Sequence, residues 1–589
     1  MRAMHSADYL YIMNLEPDWW PVGTRLPSIR GQHFSDIDPG PTKGVFIENT
    51  RDLENLEPPY ALTVAKRPAD ELYHKPTDPH QVKNLAADPR HAEVLKDMKT
   101  RLAERLTADK DPRLMGHPEV YEFEPFLLGH DKKRFDELKA QRQQALEATA
   151  AGSGHGASND ALRPNILIVF TDDQGYGDLG CFDGRYKTPR LDKLAAEGTR
   201  FTSFYAQHVC GPSRSALLTG RYPVRSKGWG MPADEITWAE LMRKAGYQTA
   251  CIGKWDVSNR RPIIERMPNA QGFDYYYGTL GANDGGHVDF WENNSRAGDT
   301  FDMGSLTKLY TDKAIDYLEN RRDPDKPFAL YLAHTMVHMN IDASETFQGA
   351  SGQGLYGDVI AELDHETGRL LDALDRLGLR DDTLVIYTTD NGPWNQQSYI
   401  NTKRKEKHYV EWKKRHARFE NDDVFWGESG PLRNGKGSCY EGGLRVPCIM
   451  RWPGKVPEGR ASDATFATID FLPTFANLCG FRVPAGRRID GVDQTGLLLG
   501  KSEDGARDTF YYVNGMRKGI WKYLKADHCI YGYARDTKRR RVEELYNLED
   551  DPGETRNLAG RHPDIVAELK SLMQKTAKGG DFQCLKKVR

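Results

Sequence analysis

Two short acidic clusters follow apolar, strand-like runs of the sequence and could together bind a metal ion. Asp172 and Asp173 come directly after the first run, and Asp390 and Asn391 come directly after the second. If both runs are strands of one open α/β sheet, their carboxyl ends lie where such sheets bind ligands. Three carboxylates and an amide oxygen suit a hard cation such as Ca²⁺ or Mg²⁺. These residue types also form ordinary turns, but the two clusters together favour a metal site.

A third element begins at Cys210, which opens the sequence Cys-Gly-Pro-Ser-Arg and is followed by Leu-Thr-Gly-Arg. A lone cysteine is most often a small buried apolar residue, but this one starts a twelve-residue pattern at a predicted helix. Residues 210–221 resemble the C-x-P-S-R signature of type I sulfatases. The likeness extends over most of residues 164–589, through NILIVFTDDQGYGDLG, Gly-Lys-Trp at 253–255, PLRNGKGSCYEGGLRVP and ELYNLEDDPGETRNLA.

The resemblance implies a formylglycine-dependent sulfatase of the alkaline phosphatase-like superfamily. A formylglycine-generating enzyme would oxidise Cys210, and the hydrated aldehyde would supply the nucleophilic oxygen, stabilised by Arg214. Lys254 and Lys436 would contact sulfate oxygens, and His338 would face the leaving-group oxygen. The metal would be a divalent cation, most often Ca²⁺ in this family with Mg²⁺ as the alternative, held by Asp172, Asp173, Asp390, Asn391 and the modified Cys210.

The implied chemistry is physically coherent. A sulfate monoester is anionic, and a metal ion with lysines would offset the charge on the transferred group. A geminal diol offers one hydroxyl for attack and a second whose deprotonation expels sulfate, which is covalent catalysis. An unmodified cysteine cannot perform that elimination.

One position departs from the family pattern. The family usually has histidine after Gly-Lys-Trp, where this chain has Asp256. That histidine normally bonds the formylglycine hydroxyl, and a carboxylate is a weaker base at neutral pH. Three outcomes stay open: the pocket makes Asp256 more basic, turnover is impaired, or another group takes over. His208, His287 and His334 are the candidates for such a substitute.

The elements that must position these residues alternate between strand-like and helical patterns. This alternation predicts an α/β fold with a large mixed, mainly parallel sheet covered by helices. A small α+β subdomain with aromatic strands and a terminal helix is expected at the C-terminus. The predicted strands are Asn165–Thr171, Thr383–Thr389, 510–513 and 521–524, and the predicted helices are 189–197, 238–245, 309–319 and 357–377.

Two distant segments of the chain repeat one another. Residues 71–86 and 544–559 share Glu-Leu-Tyr, Asp-Pro and Asn-Leu-Ala at matching positions, and a helical segment follows each. The N-terminal 150 residues, through Tyr9–Asn14 and residues 31–43 and 67–73, resemble the C-terminal portion of a heparan N-sulfatase-like sulfatase. We therefore predict an extra module at 1–140, a Gly/Ala-rich linker at 141–163, a catalytic domain at 164–505 and a C-terminal subdomain at 506–589.

The extra module has no C-x-P-S-R and no Asp-Asp loop, so it should lack a nucleophile and a metal site of its own. Its cluster of His33, Asp36 and Asp38 is interpreted as a polar loop. A basic, aromatic-rich stretch at 403–416 is either a solvated face or a contact for a sulfated glycan. The segments 283–287 and 291–294 are expected to form cleft loops.

Composition excludes several classes of function. Lys and Arg number 82 against 85 Asp and Glu, which gives a net charge of −3. The mean hydropathy is −0.69, and no apolar stretch approaches the roughly 20 residues that span a bilayer. No nucleic-acid or membrane partner is therefore expected. Eight cysteines without zinc-like spacing argue against a disulfide scaffold, although one or two disulfides remain open.

The sequence favours a sulfuric ester hydrolase acting on a sulfated carbohydrate or related ester. A phosphate or phosphonate ester hydrolase of the same superfamily and an inactive glycan-binding homologue are the alternatives. The linkage, exo or endo action and oligomeric state stay open. No signal peptide is visible at the N-terminus, so the chain as written is expected to be cytoplasmic, although this family is commonly periplasmic or secreted.

Overall fold

The computed structural model describes residues 2–14, 68–108, 144, 161–394 and 426–578, except 79, 485, 529, 531–535, 537 and 539–540. The cluster of His33, Asp36 and Asp38 and the basic stretch at 403–416 lie outside these residues. The chain divides into two units, Met1–Asp131 and Lys132–Arg589. Among the helices described, none has the length and apolar character needed to cross a membrane.

The N-terminal unit is a three-stranded antiparallel sheet with one long helix. The strands are β1 (Arg2–His5), β2 (Tyr9–Met13) and β3 (Asp70–His74), and the helix is α1 (Ala92–Ala108). Met98, Leu102 and Leu106 recur every four residues and therefore lie on one face of α1. These side chains bury an apolar cluster with Tyr11, Met13 and Leu72, so the unit has its own small core.

The larger unit is built on a ten-stranded mixed sheet with the order β10-β9-β8-β7-β11-β4-β12-β14-β5-β15. Five consecutive strands of this sheet, β8, β7, β11, β4 and β12, are parallel to one another. The strands of this unit ahead of the C-terminal subdomain are β4 Asn165–Thr171, β5 Thr199–Phe201, β6 Phe204–Tyr205, β7 Gln248–Lys254, β8 Tyr275–Thr279, β9 Val288–Glu292, β10 Ser295–Thr300, β11 Phe328–Ala333, β12 Thr383–Thr389, β13 Arg445–Val446, β14 Cys448–Arg451, β15 Arg460–Ser462 and β16 Phe466–Ala467.

Strand β4 is buried on both faces, as expected of a central parallel strand. Leu167 and Val169 join one apolar cluster, whereas Ile166, Ile168 and Phe170 join the other. Helices cover both faces, and the predicted helix-covered, mainly parallel sheet is confirmed. The helices are α2 Pro189–Ala196, α3 Cys210–Thr219, α4 Pro223–Ser226, α5 Trp238–Lys244, α6 Leu306–Asp316, α7 Gly354–Arg376, α8 Glu441–Leu444, α9 Phe471–Cys479, α10 Thr495–Leu498 and α11 Pro563–Ala577.

A second, four-stranded antiparallel sheet forms the predicted C-terminal α+β subdomain. Its strands are β17 (Thr509–Tyr512), β18 (Gly515–Lys518), β19 (Trp521–Leu524) and β20 (Glu544–Asn547). Helix α11 packs on β18 and β19. The helix buries Leu569 against the sheet.

The two repeated segments adopt the same local hydrogen bonding. In the N-terminal unit, the Asn84 side-chain oxygen accepts from the backbone N–H groups of Leu72 and Ala86 at 2.9 and 3.0 Å. In the C-terminal subdomain, the Asn557 oxygen accepts from Leu545 and Ala559 at 3.0 and 3.0 Å. The shared Asp-Pro aspartates also match, because Asp78 and Asp551 each accept from backbone N–H groups four and five residues later. The repeat in the sequence is therefore also a repeat in structure.

Candidate active site

The two acidic clusters meet at the carboxyl ends of β4 and β12. These strands are parallel neighbours with Thr171 opposite Thr389, so the residues that follow each strand lie side by side. The Asp173 N–H donates to Asp390 Oδ1 at 3.2 Å, and Asn391 Nδ2 donates to Asp173 Oδ1 at 2.7 Å. Four of the five predicted metal-binding side chains, those of Asp172, Asp173, Asp390 and Asn391, are buried here.

Helix α3 begins at Cys210 and brings its thiol to this cluster. The Sγ atom lies 3.3 Å from Asp172 Oδ1 and 3.3 Å from Lys436 Nζ. A helix N-terminus favours negative charge near its first residues, so this end of α3 favours an anionic group beside Cys210. Burial, followed by the charges of Asp172 and Asp390, raises the pKa of the Cys210 thiol well above its usual range. The thiol is therefore protonated and is not an activated thiolate nucleophile.

Three cationic side chains face the carboxylates. Arg214 Nε and Nη2 donate to the same Asp390 oxygen at 3.1 and 2.8 Å. Lys254 Nζ lies 2.5 Å from Asp172 Oδ2, and Lys436 Nζ lies 2.6 Å from an Asp173 oxygen. The sequence-predicted Arg214, Lys254 and Lys436 thus surround the acidic cluster.

The electrostatics of the cluster fit a hard divalent cation. Burial raises the pKa of Asp173 to about 7 against the opposing charge of Lys436, and the neighbouring carboxylates add to the rise. Burial and Asp172 likewise raise the pKa of Asp390 to about 6. Asn391 Oδ1 is buried and has no hydrogen-bond partner among the described residues. Crowded carboxylates beside an unsatisfied amide oxygen are the donors that Ca²⁺ and Mg²⁺ prefer.

His338 faces the same cluster from the loop after β11. Its Nε2 lies 3.6 Å from Asp173 Oδ2, and the ligand atoms of Asp172, Asp173, Cys210 and His338 all lie within 4.8 Å of one another. Its Nδ1 lies 2.7 Å from the Met339 carbonyl oxygen, which assigns the proton to Nδ1 and leaves Nε2 facing the site. Burial, followed by the charge of Lys436, lowers the pKa of His338 to about 3, so the ring is neutral at pH 7.

Asp256 has a different setting from that of a general base. Its Oδ1 accepts from Arg260 Nε at 2.7 Å, and its Oδ2 accepts from Trp229 Nε1 at 3.0 Å. Lys254 Nζ lies 3.6 Å from Oδ2. Trp229 packs on Gly211, where an added Cβ would lie 2.3 Å from the indole. The carboxylate is therefore held by two donors and faces a lysine of the site.

The three histidines considered as substitutes for the base at position 256 lie in different parts of the larger unit. His208 and His334 are fully buried, and burial lowers the pKa of His208 to about 4 and that of His334 to about 3. The His208 carbonyl accepts from the Gly437 N–H at 2.7 Å. His287 Nε2 lies 3.0 Å from an Asp299 oxygen, in the hairpin of β9 and β10.

The sequence did not point to Arg260 or Asp284 as site residues. Arg260 Nη1 donates to Asp284 Oδ2 at 2.8 Å, and Asp284 Oδ1 lies 3.2 Å from His338 Nδ1. The one signal was the predicted cleft loop at 283–287, in which Asn283 Nδ2 donates to the His338 carbonyl at 2.9 Å. Residues 291–294 instead form the end of β9 and the turn to β10.

The described cysteines are free thiols, namely Cys181, Cys210, Cys251, Cys439, Cys448 and Cys479. The other two cysteines of the chain lie outside the described residues.

Comparison with known proteins relates this site to a family. The sulfatase family model matches residues 164–481, which is more than half of the chain. The model described as N-sulphoglucosamine sulphohydrolase, C-terminal, matches residues 434–579.

Individual relatives agree with the family models. Human arylsulfatase A is 33% identical over 70% of this chain and 87% of its own length. Dog N-acetylgalactosamine-6-sulfatase is 32% identical over 62% of this chain and 71% of its own length. One solved structure is a Bacteroides thetaiotaomicron chain described in connection with the metabolism of multiple glycosaminoglycans. It has a TM-score of 0.60 and 27% sequence identity, and the match covers 71% of this chain and 100% of that one. The chain belongs to the sulfatase family and is a sulfuric ester hydrolase.

Proposed function

We propose that this sulfatase releases sulfate from a sulfated carbohydrate, with formylglycine made from Cys210 as its nucleophile. The observation that carries the proposal is the setting of Cys210, whose Sγ lies 3.3 Å from both Asp172 Oδ1 and Lys436 Nζ in a buried site. The hydrated formylglycine would supply a geminal diol at that position. The carbohydrate substrate is supported by the relatives, one of which is an N-acetylgalactosamine-6-sulfatase.

Each charged side chain then has a role in binding the sulfate group. Lys254 and Lys436 donate to sulfate oxygens, and Arg214, four residues after Cys210 in α3, stabilises the modified Cys210. His338 presents Nε2 to the leaving-group oxygen, since its Nδ1 is occupied by the Met339 carbonyl. Lys254, Lys436 and Arg214 would offset the charge that develops as the S–O bond breaks.

A divalent cation belongs to the same proposal. Asp172, Asp173, Asp390 and Asn391, together with the modified Cys210, would hold it, and Ca²⁺ is preferred over Mg²⁺ on the family resemblance. When bound, the cation offsets the negative charge of the sulfate group. Elemental analysis of the purified protein should find about one Ca²⁺ per chain, and a protein active without any divalent cation would contradict this assignment.

Peptide mass spectrometry across Cys210 tests the nucleophile. Protein from the native host should carry formylglycine at this position, and Cys210→Ala should abolish sulfate release. Cys251→Ala is the matched control, because Cys251 is also a buried free cysteine but lies within β7. An unmodified and fully active Cys210 would refute the mechanism.

Paired substrates test the alternatives. We expect wild-type protein to hydrolyse a sulfated monosaccharide and 4-nitrophenyl sulfate faster than 4-nitrophenyl phosphate. Preferential phosphate turnover would favour the phosphate or phosphonate hydrolase. Binding of a sulfated oligosaccharide without release of sulfate, in protein that carries formylglycine, would favour the inactive glycan-binding homologue.

We also propose that the N-terminal unit is a second copy of the C-terminal module. The matching hydrogen bonds of Asn84 and Asn557 support this origin. Each asparagine joins a strand to the turn that follows it, so Asn84→Ala and Asn557→Ala should each raise amide hydrogen exchange at the two N–H groups that the asparagine binds. Exchange that rises at Leu545 but not at Leu72 would argue against equivalent modules.

A further inference from the structure

Charged and polar side chains form a ring beside Cys210. Going round the ring, successive polar atoms are 2.5, 3.6, 2.7, 2.8, 3.2 and 3.6 Å apart, and the last member lies within 4.8 Å of the first. The members follow one another in the order Asp172, Lys254, Asp256, Arg260, Asp284, His338 and Asp173. The ring contains Lys254, assigned to the sulfate, and His338, assigned to the leaving oxygen, and it continues to Arg260 and Asp284.

Only part of this ring reaches solvent. The side chains of Asp172, Asp173, Lys254 and Asp256 are 0% exposed and that of His338 is 3% exposed. In contrast, the side chain of Arg260 is 21% exposed and that of Asp284 is 32% exposed. A sulfate bound among the buried members would therefore leave the rest of its ester near the Arg260–Asp284 pair.

The loop after β7 holds Arg260 in a defined position. Asp256, Asn259 and Arg260 have φ values of 56°, 55° and 58°, a region that costs free energy for residues other than glycine and recurs at functional sites. The Asn259 N–H donates to the Trp229 carbonyl at 2.7 Å, which fixes the loop to the segment that packs on Gly211. Two nitrogens of Arg260 are bonded to carboxylates, and its Nη2 has no hydrogen-bond partner among the described residues.

We propose that Arg260 and Asp284 bind two neighbouring free hydroxyl groups of the sugar whose sulfate is removed. This inference rests on the proposed sulfatase function. Arg260 Nη2 donates to one hydroxyl oxygen, and Asp284 accepts from the other hydroxyl. A carboxylate has about four lone-pair sites, so Asp284 can bind Arg260 and still accept a further hydrogen bond.

The charge of the pair favours a neutral diol over a second anion. Arg260 and Asp284 have opposite charges 2.8 Å apart, so together they carry no net charge. A second sulfate or a carboxylate at this position would be repelled by Asp284 as well as attracted by Arg260, so it would lose its hydration for little net attraction. The substrate class is therefore a monosulfated sugar with two free hydroxyls next to the sulfate ester.

Three sulfate esters separate this role from a general effect on catalysis. They are a monosulfated hexoside with free vicinal hydroxyls, the same hexoside with those hydroxyls O-methylated, and 4-nitrophenyl sulfate. A hydrogen bond to a charged group is worth a factor of about 10–100. We expect wild-type kcat/KM for the hydroxylated hexoside to exceed that for the methylated one by about this factor.

Two variants complete the test. Arg260→Gln and Asp284→Asn should each lower kcat/KM for the hydroxylated hexoside about 10- to 100-fold more than kcat/KM for 4-nitrophenyl sulfate, because only the hexoside has hydroxyls for the pair to bind. Arg261→Gln, at the exposed neighbouring position, is the control and should match wild type on every substrate. The wild-type preference needs no variant, so the test survives if a variant fails to fold.

The outcomes distinguish the inference from the function beneath it. Equal losses on all three esters would overturn the diol role, because Arg260 would then act through the catalytic groups. Equal wild-type rates on the hydroxylated and methylated hexosides would also overturn it. So would faster turnover of a fourth ester, the hexoside with a second sulfate in place of one hydroxyl. A wild-type protein that carries formylglycine but hydrolyses none of the esters would refute the proposed function itself.

Discussion

Asp256→His should lower the rate of sulfate release, although it restores the residue that the family usually has at this position. In this chain the carboxylate is fully buried and accepts hydrogen bonds from Arg260 and Trp229. A histidine could not accept from both donors with the same geometry. It would also remove the negative charge that faces Lys254.

The distance between Asp256 and Lys254 sets an upper limit on the energy that the substitution can change. Asp256 Oδ2 and Lys254 Nζ are 3.6 Å apart, so their attraction is about 5 kcal/mol at an effective dielectric constant of about 20. The cost of burying the carboxylate offsets much of this attraction. We expect the displaced Lys254 to cost about 2 kcal/mol of transition-state stabilisation, which corresponds to an approximately 30-fold decrease in kcat/KM.

The assay is kcat/KM for 4-nitrophenyl sulfate, corrected for the formylglycine content of each preparation by mass spectrometry. Asp256→Asn should lose less than Asp256→His, because the amide keeps the shape and one acceptor oxygen. The exposed Asp508→His controls for the introduction of a histidine and should match wild type. A tenfold gain in Asp256→His would refute the reasoning, since Asp256 would then be only a weaker replacement for the base.

Three further predictions follow from the electrostatics and packing. Although burial opposes it, hydrogen bonding to Cys439 and Glu544 raises the pKa of His528 to about 9. Protonated His528 therefore stabilises the fold fully below about pH 6.5, and about 3 kcal/mol of the free energy of unfolding is lost as the pH rises through 9. Thermal unfolding of His528→Gln should lack this pH dependence, whereas that of the exposed His365→Gln should retain it. Gly211→Ala would force the Trp229 indole to move, so we expect at least a tenfold lower kcat/KM for 4-nitrophenyl sulfate and a lower Tm, and an unchanged Tm would contradict the packing. Chelation of the bound cation should lower Tm, because a ligand at 100 times its Kd stabilises the folded state by about 2.7 kcal/mol. Added Ca²⁺ should restore the Tm, and a Tm that neither treatment changes would count against a cation site.

The central fold could be predicted because its signals are local. The runs Asn165–Thr171 and Thr383–Thr389 are continuous, apolar and rich in β-branched residues, and both strands have the predicted bounds. Their parallel pairing follows from the helices between them and brings the two acidic clusters together. Helix α7 begins at Gly354 and ends at Arg376, close to the predicted 357–377, because its apolar residues repeat with the helical period.

The surroundings of Asp256 could not be predicted in the same way. The sequence shows Asp256 and Arg260 four residues apart, a spacing that suggests an ion pair only on a helix. Here the pair forms in an irregular loop with three left-handed residues. Its partners Trp229 and Asp284 come from other loops, whose positions depend on the packing of the whole domain. The identity of Asp256 was therefore visible in the sequence, whereas its role depends on contacts that are remote along the chain.

The charges of the site also limit what its substrate can carry. With every carboxylate ionised, as a bound divalent cation would hold them, the residues around the proposed sulfate position carry a net charge of minus one: Asp172, Asp173, Asp390, Asp256 and Asp284 against Lys254, Lys436, Arg214 and Arg260. His338 is neutral at pH 7 because burial lowers its pKa. A divalent cation therefore brings the site to plus one, which a single sulfate monoester neutralises. A second anionic group on the same sugar would leave an uncompensated charge in a largely buried site, and this cost favours a substrate whose neighbouring groups are hydroxyls.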